Sequence, residues 1–420
     1  MLRIIGILLF ASFFSLKGQN VDFEYIDKVY VPTIKSVTFH PQGMGIAAPV
    51  SDVEGNIPLL LTFDELTNDV KRFSYKLIHC DFDWRPSELM EMEYINGYPE
   101  DNIQQYSFSS KTTLPYVHYE LTLPNRSTRW TKSGNYLLII YEDETEKFPV
   151  ITKRFVVVNN LIQIEPRLVI PANASLYRTH QELDFVVNHP KLLIRQPAQE
   201  IKASVVQNGQ WKNAITGISP FSFRNQQIIF DYQGKIVFPG GKEFRPLDLR
   251  TLWQRTGQMA DLIRTRSSTE VILFKDKLRG EEPYFQNRDI NGRFFIETQD
   301  QNNQLAADYA QVVFNLYTVE PIYDKDVFLL GSFNDWSPSP EYRMIFSPEE
   351  KGYILKKPMK QGFYDYAFAT RAKKEEKLDF METEGSWYET ENEYQIFIYY
   401  RPFGARYDEV IGYQVFNSRR

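Results

Sequence analysis

The chain has 420 residues, of which 43% are hydrophobic and 24% charged, with a formal net charge of −6. That length predicts two to four domains, each able to bury a core. An acidic chain without a basic run excludes nucleic acid as a partner, because phosphate binding needs clustered Lys and Arg.

The N-terminus reads as an export signal. Arg3 is followed by an apolar run from Ile4 to Leu16, then Lys17-Gly18-Gln19-Asn20 and the acidic Asp22 and Glu24. The run fits a secretory h-region and is too short to span a bilayer. Cleavage is expected after Gly18 or Gln19, so residues 1–19 are assigned to the signal peptide. No later segment is apolar for long enough to cross a membrane as a helix. Cys80 is the sole cysteine. An exported chain with no intrachain disulfide must be held by its cores.

Beyond the leader, strand-like runs recur at short spacing: 59–63, 73–80, 116–123, 136–141 and 152–158. The 57 Phe and Tyr residues favour strands and leave rings for interfaces. In Val117-His118-Tyr119-Glu120-Leu121-Thr122-Leu123 the odd positions are apolar or aromatic, the period of a half-buried strand. Turn chemistry separates the runs: Ser133-Gly134-Asn135, Asn208-Gly209, Gly240-Gly241 and Asn291-Gly292. One stretch, 248–266, places Leu249, Leu252, Trp253, Met259, Leu262 and Ile263 near helical spacing, with Thr256-Gly257 interrupting it. Helix and irregular strand are equal readings there. The predicted class is all-β, built of tandem immunoglobulin-like or early-set β-sandwich domains. Asn159-Asn160 and Glu320-Pro321 mark the expected boundaries, giving domains over 20–160, 161–320 and 321–420.

Candidate chemistry is sparse. His40, His79, His118, His180 and His189 form no His-x-x-x-His pair, so no helical zinc site is signalled. His79 and Cys80 are neighbours on a strand, which sends their side chains to opposite faces and rules out a nucleophile–base pair. Cys80 is expected as a small buried hydrophobe. Asp81 and Asp83 would share a strand face as calcium ligands or an acid–base pair. Yet the run lacks the Gly and closing Glu of a calcium loop, and Asp83-Trp84 before Pro86 reads as a turn. No nucleophile elbow or phosphate loop is present. The chain is read as a non-enzyme without metal or cofactor.

Two resemblances sharpen this reading. Phe328-Leu329-Leu330-Gly331-Ser332-Phe333-Asn334-Asp335-Trp336, with the later Gly362-Phe363-Tyr364-Asp365-Tyr366-Ala367-Phe368, resembles early-set modules of the glycogen-binding type, carbohydrate-binding family 48. The resemblance implies Trp336 as a sugar-stacking residue. The place of a second stacking ring holds Ala369-Thr370-Arg371 instead, which weakens a glucan site.

The second resemblance spans almost the whole mature chain. Ile78-His79-Cys80-Asp81-Phe82-Asp83-Trp84, Tyr94-Ile95-Asn96-Gly97, the run 118–125, Ser133 to Leu138, Phe238 to Arg245 and Asp289 to Gly292 resemble the type IX secretion system Plug proteins of Bacteroidetes. The resemblance implies a periplasmic subunit that closes the inner mouth of a large, SprA-type outer-membrane translocon barrel. It implies no catalytic residue. Trp84, Trp130 and Trp336 are taken as candidate interface or ligand platforms, with core packing as the competing reading. The alternative function is a periplasmic carbohydrate-binding protein acting through the C-terminal module, and a weaker third is an enzyme using Asp81 and Asp83.

Overall fold

A computed structural model describes residues 23–67, 69–143 and 148–419. The expected signal peptide, residues 1–19, lies outside the described residues. The described chain is almost wholly β, arranged as three sandwiches, each of two sheets closing on one apolar core.

The first sandwich uses residues 28–158. One sheet centres on Gly134–Glu142, flanked antiparallel by Phe148–Val158 and Phe73–Cys80. The other runs Ile34–Pro41, Leu59–Glu65, Val117–Leu123 and Gln105–Phe108 in spatial order. Val117–Leu123 buries its odd positions, so the period seen in the sequence is the inside–outside alternation of a strand covered on one face. The strands Gly134–Glu142 and Phe148–Val158 are apolar on both faces for a different reason. Tyr136, Leu138, Phe155 and Val157 face the sandwich core, while Leu137, Ile139, Val156 and Val158 pack against the second sandwich.

The second sandwich is discontinuous in sequence. One sheet holds Gln163–Val169, His180–Asn188, Gln227–Phe230 and Ser222–Arg224. Its partner sheet orders Ile215–Ile218, Ile201–Gln207, Glu393–Tyr400 and Glu409–Asn417. The last two strands of the chain therefore complete the second core, with Tyr394, Ile396, Ile398 and Ile411 buried beside Leu183, Phe185 and Ile201.

The third sandwich is inserted between these halves. Tyr309–Tyr317 pairs antiparallel with Gly352–Lys360, and Lys325–Leu330 with Gly362–Ala372. The expected boundary at 320/321 is thus corrected. Glu320-Pro321 interrupts a connection, but the strands on either side of it share one core. Residues 391–417 do not belong with 321–386. The two crossings between sandwiches lie side by side: Trp387 N–H donates to Gly241 O at 2.9 Å and Thr390 Oγ1 to the same carbonyl at 2.7 Å.

The stretch 248–266 is a turn-rich loop followed by the strand Met259–Arg264, and no helix forms. Leu249, Leu252 and Met259 are buried in the third core while Trp253 and Ile263 stay exposed. A helix would have placed all of them on one face. The α-helices among the described residues are the single turns Glu91–Tyr94 and Pro197–Glu200.

Candidate interaction surface

The three sandwiches are joined by polar contacts, some of them buried. Between the first and second, Arg401 Nη2 lies 2.6 Å from Asp81 Oδ2. Phe82 N–H donates to Asp408 Oδ2 at 3.0 Å and Tyr399 Oη to Asn135 Oδ1 at 3.1 Å. Between the first and third, Asp64 accepts from Lys360 Nζ, Tyr309 Oη and His118 Nδ1, each at 2.6 Å. Burial alone would raise the Asp64 carboxyl. The Lys360 ammonium and the His118 hydrogen bond outweigh it and hold the carboxyl below its ordinary range. Asp308 caps the loop of the first sandwich through the amides of Thr113 and Leu114, at 2.7 and 3.2 Å. Between second and third, Arg293 Nη1 reaches Glu393 Oε2 at 3.1 Å.

A cleft of about 690 Å³ opens where the three bodies meet, walled by Asp27, Lys35, Arg154, Trp211, Glu341 and Lys357 among others. These charges are already paired with one another. Arg154 Nη2 lies 2.7 Å from Asp27, Lys35 3.0 Å from Glu341 and Lys357 2.9 Å from Glu341. Lys212 and Arg371 also line the cleft.

All three tryptophans named from sequence are buried. Trp84 lies at the junction of the first two sandwiches, edge-on to Trp211 at 4.9 Å, with the Arg154 guanidinium over its ring at 5.2 Å. Trp130 donates from Nε1 to Asp52 O at 2.9 Å and packs on Phe155. Trp336 packs on Phe244 at 5.2 Å and covers Gly292. None offers a face to solvent, because each ring closes a gap between sheets or loops that a smaller residue would leave open. Trp336 in particular cannot stack on a sugar in this conformation, and the family 48 resemblance of the C-terminal segment is not borne out as a separate module.

The remaining candidates also resolve into structural roles. His79 Nδ1 lies 2.9 Å from Ser87 Oγ and Nε2 3.1 Å from Ser133 O. Burial pulls its pKa down to about 4, so it is neutral at physiological pH. Cys80 faces the opposite side of the strand, among Trp84 and Leu137, and burial pushes its thiol up. Asp81 bridges two sandwiches, and Asp83 accepts from Arg85 N in the turn that follows. Among the described residues no three His, Cys, Asp or Glu side chains converge as metal ligands.

Two carboxyls stand out electrostatically, the buried Asp365 and the half-buried Asp289. Asp365 accepts the amides of Ile290 and Gly292 at 2.6 and 3.1 Å, while its Oδ1 has no partner. Burial, then the nearby Asp289, push Asp365 up to about 7; burial pushes Asp289 up to about 6. Both hold loop amides.

The surface features that sequence reading missed are apolar residues left outside these cores. Phe403 is fully exposed at the tip of the hairpin joining the last two strands. The neighbouring Arg406 of that hairpin pairs with Glu93, placing the tip beside the exposed Met90 and Met92. Tyr106 and Phe108 are exposed on the strand Gln105–Phe108, with ring centroids 6.2 Å apart. Rings and thioethers of this kind dominate contact surfaces between proteins. Their sequence signal was weak, since Gln105-Tyr106-Ser107-Phe108 alternates like any half-buried strand. Only the placement of that strand at the sheet edge exposes both rings.

Comparisons with known proteins agree with this geometry. Residues 34–159, nearly the whole first sandwich, match the family described as Type 9 secretion system plug protein 1st domain. No curated protein matches the chain. Among solved structures, a crystal structure of a hypothetical protein from Parabacteroides merdae ATCC 43184 is 29% identical. It covers 94% of this chain and 100% of its own, with a TM-score of 0.89. That likeness extends through all three sandwiches. The first sandwich is similar to the first domain of the type 9 secretion system plug proteins, and this supports a component of that system.

Proposed function

We propose that the chain is a periplasmic subunit of the type 9 secretion system that docks on the large outer-membrane translocon barrel, of SprA type, and closes its periplasmic opening. The observation that carries this reading is the match of residues 34–159 to the plug family's first domain. Its physical support is the body itself. A plug needs rigidity and interface area rather than a reactive group. Three sandwiches cross-linked by pairs such as the buried Asp64–Lys360 and the half-exposed Asp81–Arg401 supply the first, and exposed Tyr106, Phe108, Met92 and Phe403 supply the second.

The test is affinity purification of the tagged mature protein from detergent-solubilised envelopes, with mass spectrometry of the eluate. A stoichiometric, very large outer-membrane barrel is the expected companion. A clean monomer would overturn the reading. The carbohydrate-binding alternative rested on Trp336, and that ring is buried.

A further inference from the structure

The strand Gln105–Phe108 is the outermost strand of its sheet and, among the described residues, pairs only with Val117–Leu123, in the register Tyr106↔Tyr119 and Phe108↔Val117, without a bulge. One hydrogen bond fixes the phase of that ladder. Ser109 N–H donates to Tyr116 O at 2.9 Å. In an antiparallel ladder, pairs that exchange hydrogen bonds alternate with pairs that do not. Ser107 therefore bonds inward to His118, and Tyr106 and Phe108 turn their N–H and C=O groups away from the sheet. The two residues with outward backbones are also the two exposed rings.

Natural sheets blunt such edges with charge, proline, bulges or a covering segment. Four other edges here carry those devices. Ile34–Pro41, at the far side of the same sheet, has a register shift and lies under the third sandwich through Ser36 and Lys35. Met259–Arg264 has a register shift and two charges. Gln163–Val169 contains Pro166, and Glu409–Asn417 is bonded by the amides of Asn159 and Leu161. Gln105–Phe108 has none of them, and no charged residue occurs from Ile103 to Ser110. The edge is also held firmly in place. Ser110 N–H donates to Leu305 O of the third sandwich at 2.9 Å, and Tyr116 Oη to Ala307 O at 3.0 Å.

We infer that this edge receives an extended, uncharged segment of a partner protein as an added strand, which bonds to the backbones of Tyr106 and Phe108 and packs against their rings. The inference rests on the proposed docking to a translocon barrel. Uncharged chemistry follows from the edge, since a charge laid beside 103–110 would find no counter-charge. A partner protein rather than a second copy follows from area. Two outward residues fall far short of the roughly 1,200 Å² that a stable complex buries, so the added strand must accompany a larger contact made by the rest of the body.

The experiment reads amide hydrogen exchange of the free protein and of the complex recovered from solubilised envelopes. In the free protein the Tyr106 and Phe108 amides exchange fast and Ser107 slowly. In the complex the first two slow by at least about a hundredfold, as ladder amides do. Two variants give a second measure. Phe108→Pro removes an N–H that the fold does not use, and should cut recovery of the barrel about tenfold while Phe108→Ala, which keeps it, costs less. If a barrel is recovered but the two amides stay unprotected and both variants bind alike, the inference fails while the docking reading stands. If no barrel is recovered, both fail. Should Phe108→Pro not fold, the exchange data on the unmodified protein decide alone.

Discussion

Lys360 Nζ sits 2.6 Å from Asp64 Oδ2, and both side chains are almost wholly buried at the boundary between the third and first sandwiches. Removing one member of such a pair leaves the other charge desolvated and unpaired. Lys360→Met should cost about 3–5 kcal/mol, the range for a broken buried ion pair. Urea unfolding at pH 7 checks this. A loss within 0.5 kcal/mol, roughly that of a surface substitution, would show that the contact is not formed. Because the Asp64 carboxyl is held low, its stabilisation is present above the unfolded carboxylate pKa and is lost as pH falls through the folded value.

Asp365 has the opposite sign. Its folded pKa is raised to about 7, so its contribution is fully present below the unfolded value and is lost as pH rises toward 7. Asp365→Asn keeps an acceptor for the amides of Ile290 and Gly292 and removes the buried charge. The variant should be more stable than the parent at pH 8, by on the order of 1–3 kcal/mol, and no more stable at pH 4. Thermal unfolding at the two pH values tests both halves.

His79 contributes a third pH dependence. Buried neutral with a pKa of about 4, it stabilises the fold above the unfolded value near 6.5 and loses that contribution as pH falls toward 4. Its imidazole resonance, followed by NMR, should show no titration between pH 8 and 5. A midpoint near 6.5 would mean the ring is open to water.

Gly292 has φ +75°, and a Cβ there would lie 2.4 Å from Trp336 Cζ2. Gly292→Ala should therefore destabilise by about 2 kcal/mol or more through both strain and overlap. The companion change Trp336→Ala should cost about 3–5 kcal/mol as a core truncation. Trp336 fluorescence should also stay unmoved by maltoheptaose. A saturable response would reopen the carbohydrate reading.

Much of the fold was legible in the chain because strand chemistry is local. The alternation in Val117–Leu123 became its burial pattern residue by residue. Asn208-Gly209 and Asn291-Gly292 take positive φ at both positions, a conformation that Gly and Asn adopt more readily than other residues. His79 and Cys80 fall on opposite faces because side chains alternate along any strand.

Tertiary structure alone decided the rest. No local pattern told that Glu393–Tyr400 would pair with Ile201–Gln207, some 190 residues earlier, and so interrupt the second sandwich with the third. Pairing partners are chosen by complementary faces across the whole chain, not by neighbours in sequence. The same holds for the tryptophans and the aromatic edge. Trp336 and Phe108 are both large apolar residues in β-rich surroundings, yet one is covered by Phe244 and the other faces solvent. Sequence determined that this protein would be built of strands with buried aromatic cores. Only the assembly of three sandwiches determined which rings were left outside.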